Sequence, residues 1–476
     1  MQIDSAALRE LAEAIARELS SETPSAVAAT RSAGLGDGVY RTIDEAAAAS
    51  RKAFLAYSRM GLRTRYSVVE SIRAVCRKEG RALAEFAFSE TGLGRTEDKV
   101  IKNHVVTERT PGPEILEPLA RSGDQGLMLT EPAPFGVIGA ITPVTNPTST
   151  IICNAIGMLA AGNSVLFNVH PSAGRVSMHT IQLLNRAAVA AGGPPDLLTC
   201  IAEPTIKSAG ELMHHPLVRL LVVTGGGGVV KAAMNSGKRA ICAGPGNPPA
   251  VVDPTADIDK AARDIVGGHS FDNNVICVDE KECIAVAACA DPLIAAMQRH
   301  GAVLLPKSDL QRLEKVIFKK MAGPRGHASI NRDLVGKNAS VILEQLGKPA
   351  GPEVRCVLVE VDNDHPLIWT EQMMPVLPIT RVPTVDVGID LAIQAEGGCF
   401  HTASMHSHDL RALSKMASEC NTSIFVKNGR CVSGLGAGGE GWTSFTIASP
   451  TGEGLTTALS FSRWRRCTMV DHFRIV

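Results

Sequence analysis

Gly136-Val137-Ile138-Gly139-Ala140-Ile141-Thr142 is a short apolar run without polar alternation, the pattern of a strand buried on both faces. A helical stretch over Ser149–Ala161 follows it. A second run, Ser164-Val165-Leu166-Phe167-Asn168, leads into another helical stretch, Ser177–Ala191, and Leu220-Leu221-Val222-Val223 makes a third. Strands alternating with helices in this way predict a doubly wound α/β domain whose ligand sits at the carboxyl ends of the strands. Helical segments Ile43–Tyr57 and Thr64–Phe88 precede it. A second α/β domain is predicted to start near Pro249 and to carry Cys277, and no internal repeat is present.

At 476 residues the chain is too long for one ordinary core and suits two domains with appendages. Hydrophobic residues at 45% and charged residues at 20% exclude a disordered or fibrous class. Lys plus Arg equals Asp plus Glu, 48 against 48, so no global field draws nucleic acid or a membrane surface, and neither is expected as a partner. Apolar runs are broken well short of the roughly 20 residues that a membrane-spanning helix needs. The 12 cysteines are scattered without CxxC pairs, which predicts free thiols, no metal site and, with no secretory leader, a reducing cytoplasm.

Residues 1–20 stand apart. Leu8, Leu11, Ile15 and Leu19 recur at three- and four-residue spacing, with Arg9, Glu10, Glu13 and Arg17 on the other face, which predicts a short amphipathic helix. Residues 21–38, rich in Ser, Thr, Ala and Gly, read as a flexible linker. Such a helix is either a docking tag on a tether or an ordinary helix packed on its own domain. Its polar face carries Glu as freely as Arg, which argues against a membrane surface.

Ser270-Phe271-Asp272-Asn273-Asn274-Val275-Ile276-Cys277 sets one cysteine after a polar turn and a short apolar step. A thiol so placed at the mouth of a pocket is a candidate nucleophile, because the thiolate is intrinsically strongly nucleophilic. Local context alone makes a buried structural thiol the ordinary reading. Leu221-Val222-Val223-Thr224-Gly225-Gly226-Gly227-Gly228 ends an apolar strand in glycines and opens a helix, which suits close backbone approach to a pyrophosphate. Glycine turns after strands are also plain punctuation, and no GxGxxG fingerprint is present. Asn146, just before Pro147, reads by itself as the cap of the following helix.

Further strings stand in a fixed order along nearly the whole chain: Ser89-Glu90-Thr91-Gly92-Leu93-Gly94, Thr110-Pro111-Gly112, Thr142-Pro143-Val144-Thr145-Asn146-Pro147, Ala243-Gly244-Pro245-Gly246-Asn247-Pro248-Pro249, Met373-Met374-Pro375-Val376-Leu377-Pro378, Gly438-Gly439-Glu440-Gly441-Trp442 and the terminal Asp471-His472-Phe473-Arg474-Ile475-Val476. With the Cys277 segment they resemble the aldehyde dehydrogenase superfamily. The resemblance is to its CoA-acylating branch, the acetaldehyde and propionaldehyde dehydrogenases of ethanolamine and propanediol utilisation in bacterial microcompartments. It implies an aldehyde dehydrogenase-like α/β fold with a NAD-binding domain over 39–248, a catalytic domain over 249–435, and a return to the cofactor domain over 436–476. Within it, an oligomerisation ribbon at 117–135 and a C-terminal strand are implied. Gly126–Phe135 and Cys467–Val476 would then build sheet between subunits, so a homo-oligomer, dimer or tetramer, is expected.

The same resemblance implies Cys277 as nucleophile, with the Asn146 amide and the Cys277 N–H as oxyanion donors. It implies Pro143, Thr145, His170, Pro171, Thr224, Gly225 and Glu371 as contacts to NAD, with Glu371 on the nicotinamide ribose, and coenzyme A as co-substrate. Glu371 by itself reads as a solvated acidic residue. His170-Pro171 stands where hydrolytic relatives have a Lys before Pro that grips the adenosine ribose, which leaves NAD and NADP both open. Residues 1–20 would be an encapsulation peptide that meets a microcompartment shell protein or an alcohol dehydrogenase partner, placing the protein in the cytoplasm inside a microcompartment.

Hydrolytic aldehyde dehydrogenases carry a water-activating glutamate just before a Gly-Gly turn, and the matching slot here is Cys242 in Ile241-Cys242-Ala243-Gly244. A thiol of ordinary pKa is a poor replacement for a carboxylate base. The thioester is therefore expected to persist until CoA takes the acyl group in a ping-pong route from short-chain aldehyde, CoA and NAD to acyl-CoA and NADH. The alternatives are a hydrolytic aldehyde dehydrogenase that releases free acid and a catalytically inactive assembly protein. CoA-dependent NADH production separates the first, and any aldehyde turnover the second. The residues do not name the aldehyde, since one methylene in an apolar pocket changes selectivity by only about 1 to 3 kcal/mol.

Overall fold

A computed structural model describes residues 36–475. The amphipathic stretch 1–20 and linker residues 21–35 lie outside the described residues. The end of the linker is anchored, contrary to a flexible segment running to residue 38. The Gly36 carbonyl accepts from the Gln182 side chain, Asp37 pairs with Arg186 at 2.8 Å, and the Gly38 carbonyl accepts the Cys200 N–H. The folded domain thus begins by Gly36.

Strand β1 (Val39–Tyr40) leads into α1 (Ile43–Tyr57), whose start is fixed by a capping box: the Thr42 hydroxyl accepts the Glu45 N–H while Glu45 accepts the Thr42 N–H. Helix α2 (Leu62–Thr91) outruns the predicted 64–88 and stops where Gly92 turns left-handed. After α3 (Thr96–Arg109) come β2 (Leu119–Gly123) and β3 (Gly126–Pro134). The alternating series is then β4 (Val137–Ile141), α4 (Pro147–Ala160), β5 (Ser164–Asn168), α5 (Gly174–Ala190), β6 (Leu198–Ile201), α6 (Ile206–His214), β7 (Val218–Thr224), α7 (Gly227–Met234) and β8 (Ala240–Ala243).

β1 and β4 to β8 form one parallel sheet in the order β1-β6-β5-β4-β7-β8. Helices α2, α4 and α5 cover one face and α1, α6 and α7 the other, so β4 and β5 are buried on both sides. The chain moves outward from β4 to β5 and β6, then crosses back to β7 and β8 on the other side of β4. The carboxyl ends of β4 and β7 therefore bound a topological switch point, where such sheets leave a crevice.

After β8 the chain changes sheet. β9 (Pro249–Val252), α8 (Ile258–His269), β10 (Glu282–Val286), α9 (Ala287–Arg299), β11 (Ala302–Leu305), β12 (Cys356–Glu360), β13 (Val376–Val382), β14 (Thr402–His406) and β15 (Ile424–Lys427) build a second parallel sheet with its own core, in the order β11-β12-β13-β10-β9-β14-β15. Two doubly wound sheets are the aldehyde dehydrogenase-like architecture expected. Beyond β15 the chain returns to the first sheet, where the Thr446 hydroxyl lies 3.0 Å from that of Thr224 at the end of β7.

The ribbon differs from expectation at its last strand. β16 (Ser462–Val470) begins five residues before Cys467 and ends before Asp471. It pairs antiparallel with β3 of the same chain, Ser462 opposite Pro134 and Val470 opposite Gly126, to complete a three-stranded sheet with β2. Its start was not legible because Arg463-Trp464-Arg465-Arg466 has no buried face; the ladder holds it, and Trp464 is 59% exposed. No helix among the described residues is long and apolar enough to cross a membrane.

Candidate active site

Helix α8 stops at Ser270, and the next residues bend the chain sharply. Asp272, Asn273 and Asn274 have φ of 45°, 55° and 66°, three successive left-handed residues without a glycine. Each costs about 1 to 2 kcal/mol for an ordinary L residue, and Asp and Asn bear it best because their short polar side chains bond locally. Here all three are tied down. Asp272 accepts from the Lys99 and Lys102 ammonium groups and from the Arg95 N–H. The Asn273 amide donates to the carbonyls of Gly94 and Gly336, and that of Asn274 to the carbonyl of His269.

Lys281, fully buried, closes the loop from below. Its ammonium donates to the Asn274 carbonyl at 3.0 Å, the Asn274 side-chain oxygen at 2.8 Å and the Ile276 carbonyl at 3.1 Å. Cys277 sits on this braced turn, half-buried, against the core of the first sheet beside Phe271 and Ile276. Burial, then the Glu371 carboxylate, push its thiol up to about 12, while Lys281 pulls the other way. Near neutral pH the Cys277 thiol is protonated.

Asn146 occupies the cap position of α4, yet its side chain makes no capping bond, and Pro147 follows at the first helical position. The amide is committed elsewhere. Its Oδ1 accepts from Lys102 Nζ at 2.7 Å and its Nδ2 faces Thr145 Oγ1 at 3.1 Å. Lys102 thus ties Asn146 to the loop that carries Cys277.

Pro143 and Thr145 follow the carboxyl end of β4, and Thr224 and Gly225 stand at the end of β7, so these four residues bracket the switch-point crevice. His170 and Pro171 follow the end of β5, next to β4 in the sheet; the His170 ring accepts the Ser172 N–H at 3.1 Å. A Cβ built on Gly226 or Gly227 would meet nothing within 4 Å, so the backbone opening α7 is bare, as a pyrophosphate requires. These residues fit a nicotinamide dinucleotide. Glu371 is half-buried, not solvated, with its pKa raised by burial and its carboxylate bonded by the Gly246 backbone. It reaches Cys277 electrostatically, which sets it on the thiol side of the crevice.

The Cys242 side chain belongs to the core that holds Leu166, Leu221 and Val223, whereas Ile241 belongs to the core on which Cys277 packs. Side chains alternate along a strand, so the residue at the end of β8 that shares the face of Ile241 is Ala243. Neither Cys242 nor Ala243 carries a carboxylate, and burial pushes the Cys242 thiol up to about 11.

A model of the aldehyde dehydrogenase family matches residues 20–446. The chain belongs to the aldehyde dehydrogenase family. It is 49% identical over 443 residues to the acetylating acetaldehyde dehydrogenase EutE of Salmonella typhimurium, covering 92% of this chain and 94% of that protein. The propionaldehyde dehydrogenase of Rhodopseudomonas palustris, solved with bound CoA and an acylated cysteine, superposes with a TM-score of 0.88 at 49% identity, covering 92% of this chain and 99% of that one. The propionaldehyde dehydrogenase from the fucose utilisation microcompartment of Clostridium phytofermentans superposes with a TM-score of 0.89 at 42% identity, over 93% of this chain and 100% of that one.

Besides Lys102 and Lys281, sequence reasoning missed His401 in this aldehyde dehydrogenase. A Cβ on Gly246 would lie 2.7 Å from the Cys277 carbonyl and 3.0 Å from the His401 ring, which is why this turn needs glycine and how close the histidine comes. The His401 ring is fully buried, with Nδ1 2.9 Å from the Thr402 hydroxyl and Nε2 without a partner among the described residues. Burial holds its pKa down at about 3, so the ring is neutral. Nothing local in Cys399-Phe400-His401-Thr402 marks it; only the fold brings it beside the thiol loop.

Proposed function

We propose that the protein oxidises a short-chain aldehyde to acyl-CoA through a thioester on Cys277. The Cys277 thiolate adds to the carbonyl carbon, forming the C–S bond and leaving an oxyanion that the Asn146 Nδ2 and the Cys277 N–H receive. Bound NAD or NADP supplies the hydride acceptor, held by Pro143, Thr145, His170, Pro171, Thr224, Gly225 and Glu371. Collapse of the oxyanion breaks the C–H bond, releases the hydride and leaves the thioester, and the CoA sulfur then attacks it, expelling the Cys277 thiolate. What carries the CoA step is the end of β8, where neither Cys242 nor Ala243 offers a carboxylate to activate water. CoA-dependence of steady turnover tests it.

Asn146→Ala is expected to slow the covalent and hydride steps by about a hundredfold to a thousandfold, the cost of one oxyanion donor. A loss seen only in thermal stability would return Asn146 to a structural role.

The exposed three-stranded sheet, with free edges on β2 and β16 and apolar Leu119, Trp464 and Val470 uncovered, supports assembly into a homo-oligomer. The apolar stripe of residues 1–20 supports docking to a microcompartment shell or an alcohol dehydrogenase partner, in keeping with the compartment of the Clostridium phytofermentans relative. Deleting residues 1–20 is expected to leave turnover intact and to abolish co-purification with such a partner. A truncated protein that unfolds or loses activity assigns the segment to the catalytic body instead.

A further inference from the structure

An ammonium group has only donors, so the Asn146 atom 2.7 Å from Lys102 Nζ must be the amide oxygen, and the NH2 is forced to the other side. The orientation of the oxyanion donor is thereby set by a residue 44 positions away in sequence. The contact also acts through the bonds of the amide. A cation on the carbonyl oxygen draws electron density from the amide nitrogen and makes its N–H a stronger donor.

Lys102 is itself fixed. Its ammonium meets Asp272, which also takes Lys99 at 2.9 Å on the same oxygen and the Arg95 N–H at 2.6 Å on the other. All three ionic side chains are buried. Two ammonium groups thus share one carboxylate a single amide away from the place where the oxyanion forms. Asp272 holds its place at a backbone cost, being left-handed, and a Cβ on Gly94 would run into its carboxylate. A salt bridge needed only for stability has no requirement for the amide of Asn146.

We infer that Lys102 is a positioning residue for the acylation step: fixed by Asp272, its ammonium orients and polarises the Asn146 amide so that Nδ2 is presented to the oxyanion. The inference rests on the assignment of Asn146 as oxyanion donor. The test is a double-mutant cycle on the full chain, reading kcat and KM for aldehyde, CoA and NAD with Tm alongside.

Lys102→Met, which leaves Asp272 paired with Lys99, is expected to lower kcat about ten- to a hundredfold, with KM values within about twofold of wild type. In an Asn146→Ala background the same substitution should change kcat by less than about twofold, because its route of action is gone. Should Lys102→Met fail to fold, Lys102→Gln, which keeps a donor without the charge, carries the same cycle. Losses that multiply in the double variant, or a Lys102 variant with lowered Tm and unchanged kcat, overturn the inference alone. An Asn146→Ala enzyme with wild-type kcat overturns the Asn146 assignment and this inference with it.

Discussion

Replacing Cys277 by alanine is expected to remove aldehyde oxidation and the reverse acyl-CoA reduction together, by about a millionfold, the scale of losing a covalent nucleophile. The chain should remain folded. Lys281, Asn273 and Asn274 brace the loop through bonds to backbone and side chains that do not involve the thiol. Dinucleotide binding should survive too, since Pro143, Thr145, Thr224 and Gly225 belong to the ends of β4 and β7. A second measurement uses the thiol itself. Burial and Glu371 hold its pKa near about 12, so in the empty enzyme iodoacetamide labelling of the Cys277 peptide should be slow at pH 7 and climb about tenfold per pH unit towards that value. Exposed Cys467 is a control, and peptide mapping separates the two. Near wild-type turnover by the alanine variant would make Cys277 a structural thiol.

How far the sequence could be read follows from which interactions are local. Ile43–Tyr57 and Ser164–Asn168 coincide with their predicted bounds because a capping box and an unbroken apolar run are written in adjacent residues. The strand β16 was misplaced because its residues are charged and exposed, and only a partner ribbon makes them a strand. Cys277 and Asn146 could be singled out by resemblance. What holds them could not: Lys102 meets Asn146 from another helix, and His401 arrives from the second sheet. At the end of β8 a single step of register matters. Alternation in Ile241-Cys242-Ala243 puts Cys242 with the core of Leu166, Leu221 and Val223 and Ala243 on the face of Ile241, since on a strand one residue is the opposite face.

That face decides the sharpest expectation. Without CoA, the wild-type protein should yield about one NADH per active site in a rapid burst and then nearly stop, because acylated Cys277 has no activated water to release it. Adding CoA should restart turnover and give acyl-CoA. Ala243→Glu puts a carboxylate on the face of β8 that Ile241 occupies, toward the core on which Cys277 packs, and it should convert the stalled thioester to slow release of free acid once it reaches a water within about 3 Å of the thioester carbon. Cys242→Glu is the informative contrast. Its carboxylate would point into the core with Leu166, Leu221 and Val223, where an unpaired charge costs several kcal/mol, so it should lower stability without releasing acid. Acid release from Cys242→Glu but not from Ala243→Glu would reverse the facing assigned to β8. Sustained turnover of the wild type without CoA, with free acid as product, would make the enzyme hydrolytic, and the base would then have to be sought in Glu371, the carboxylate whose charge the thiol already feels.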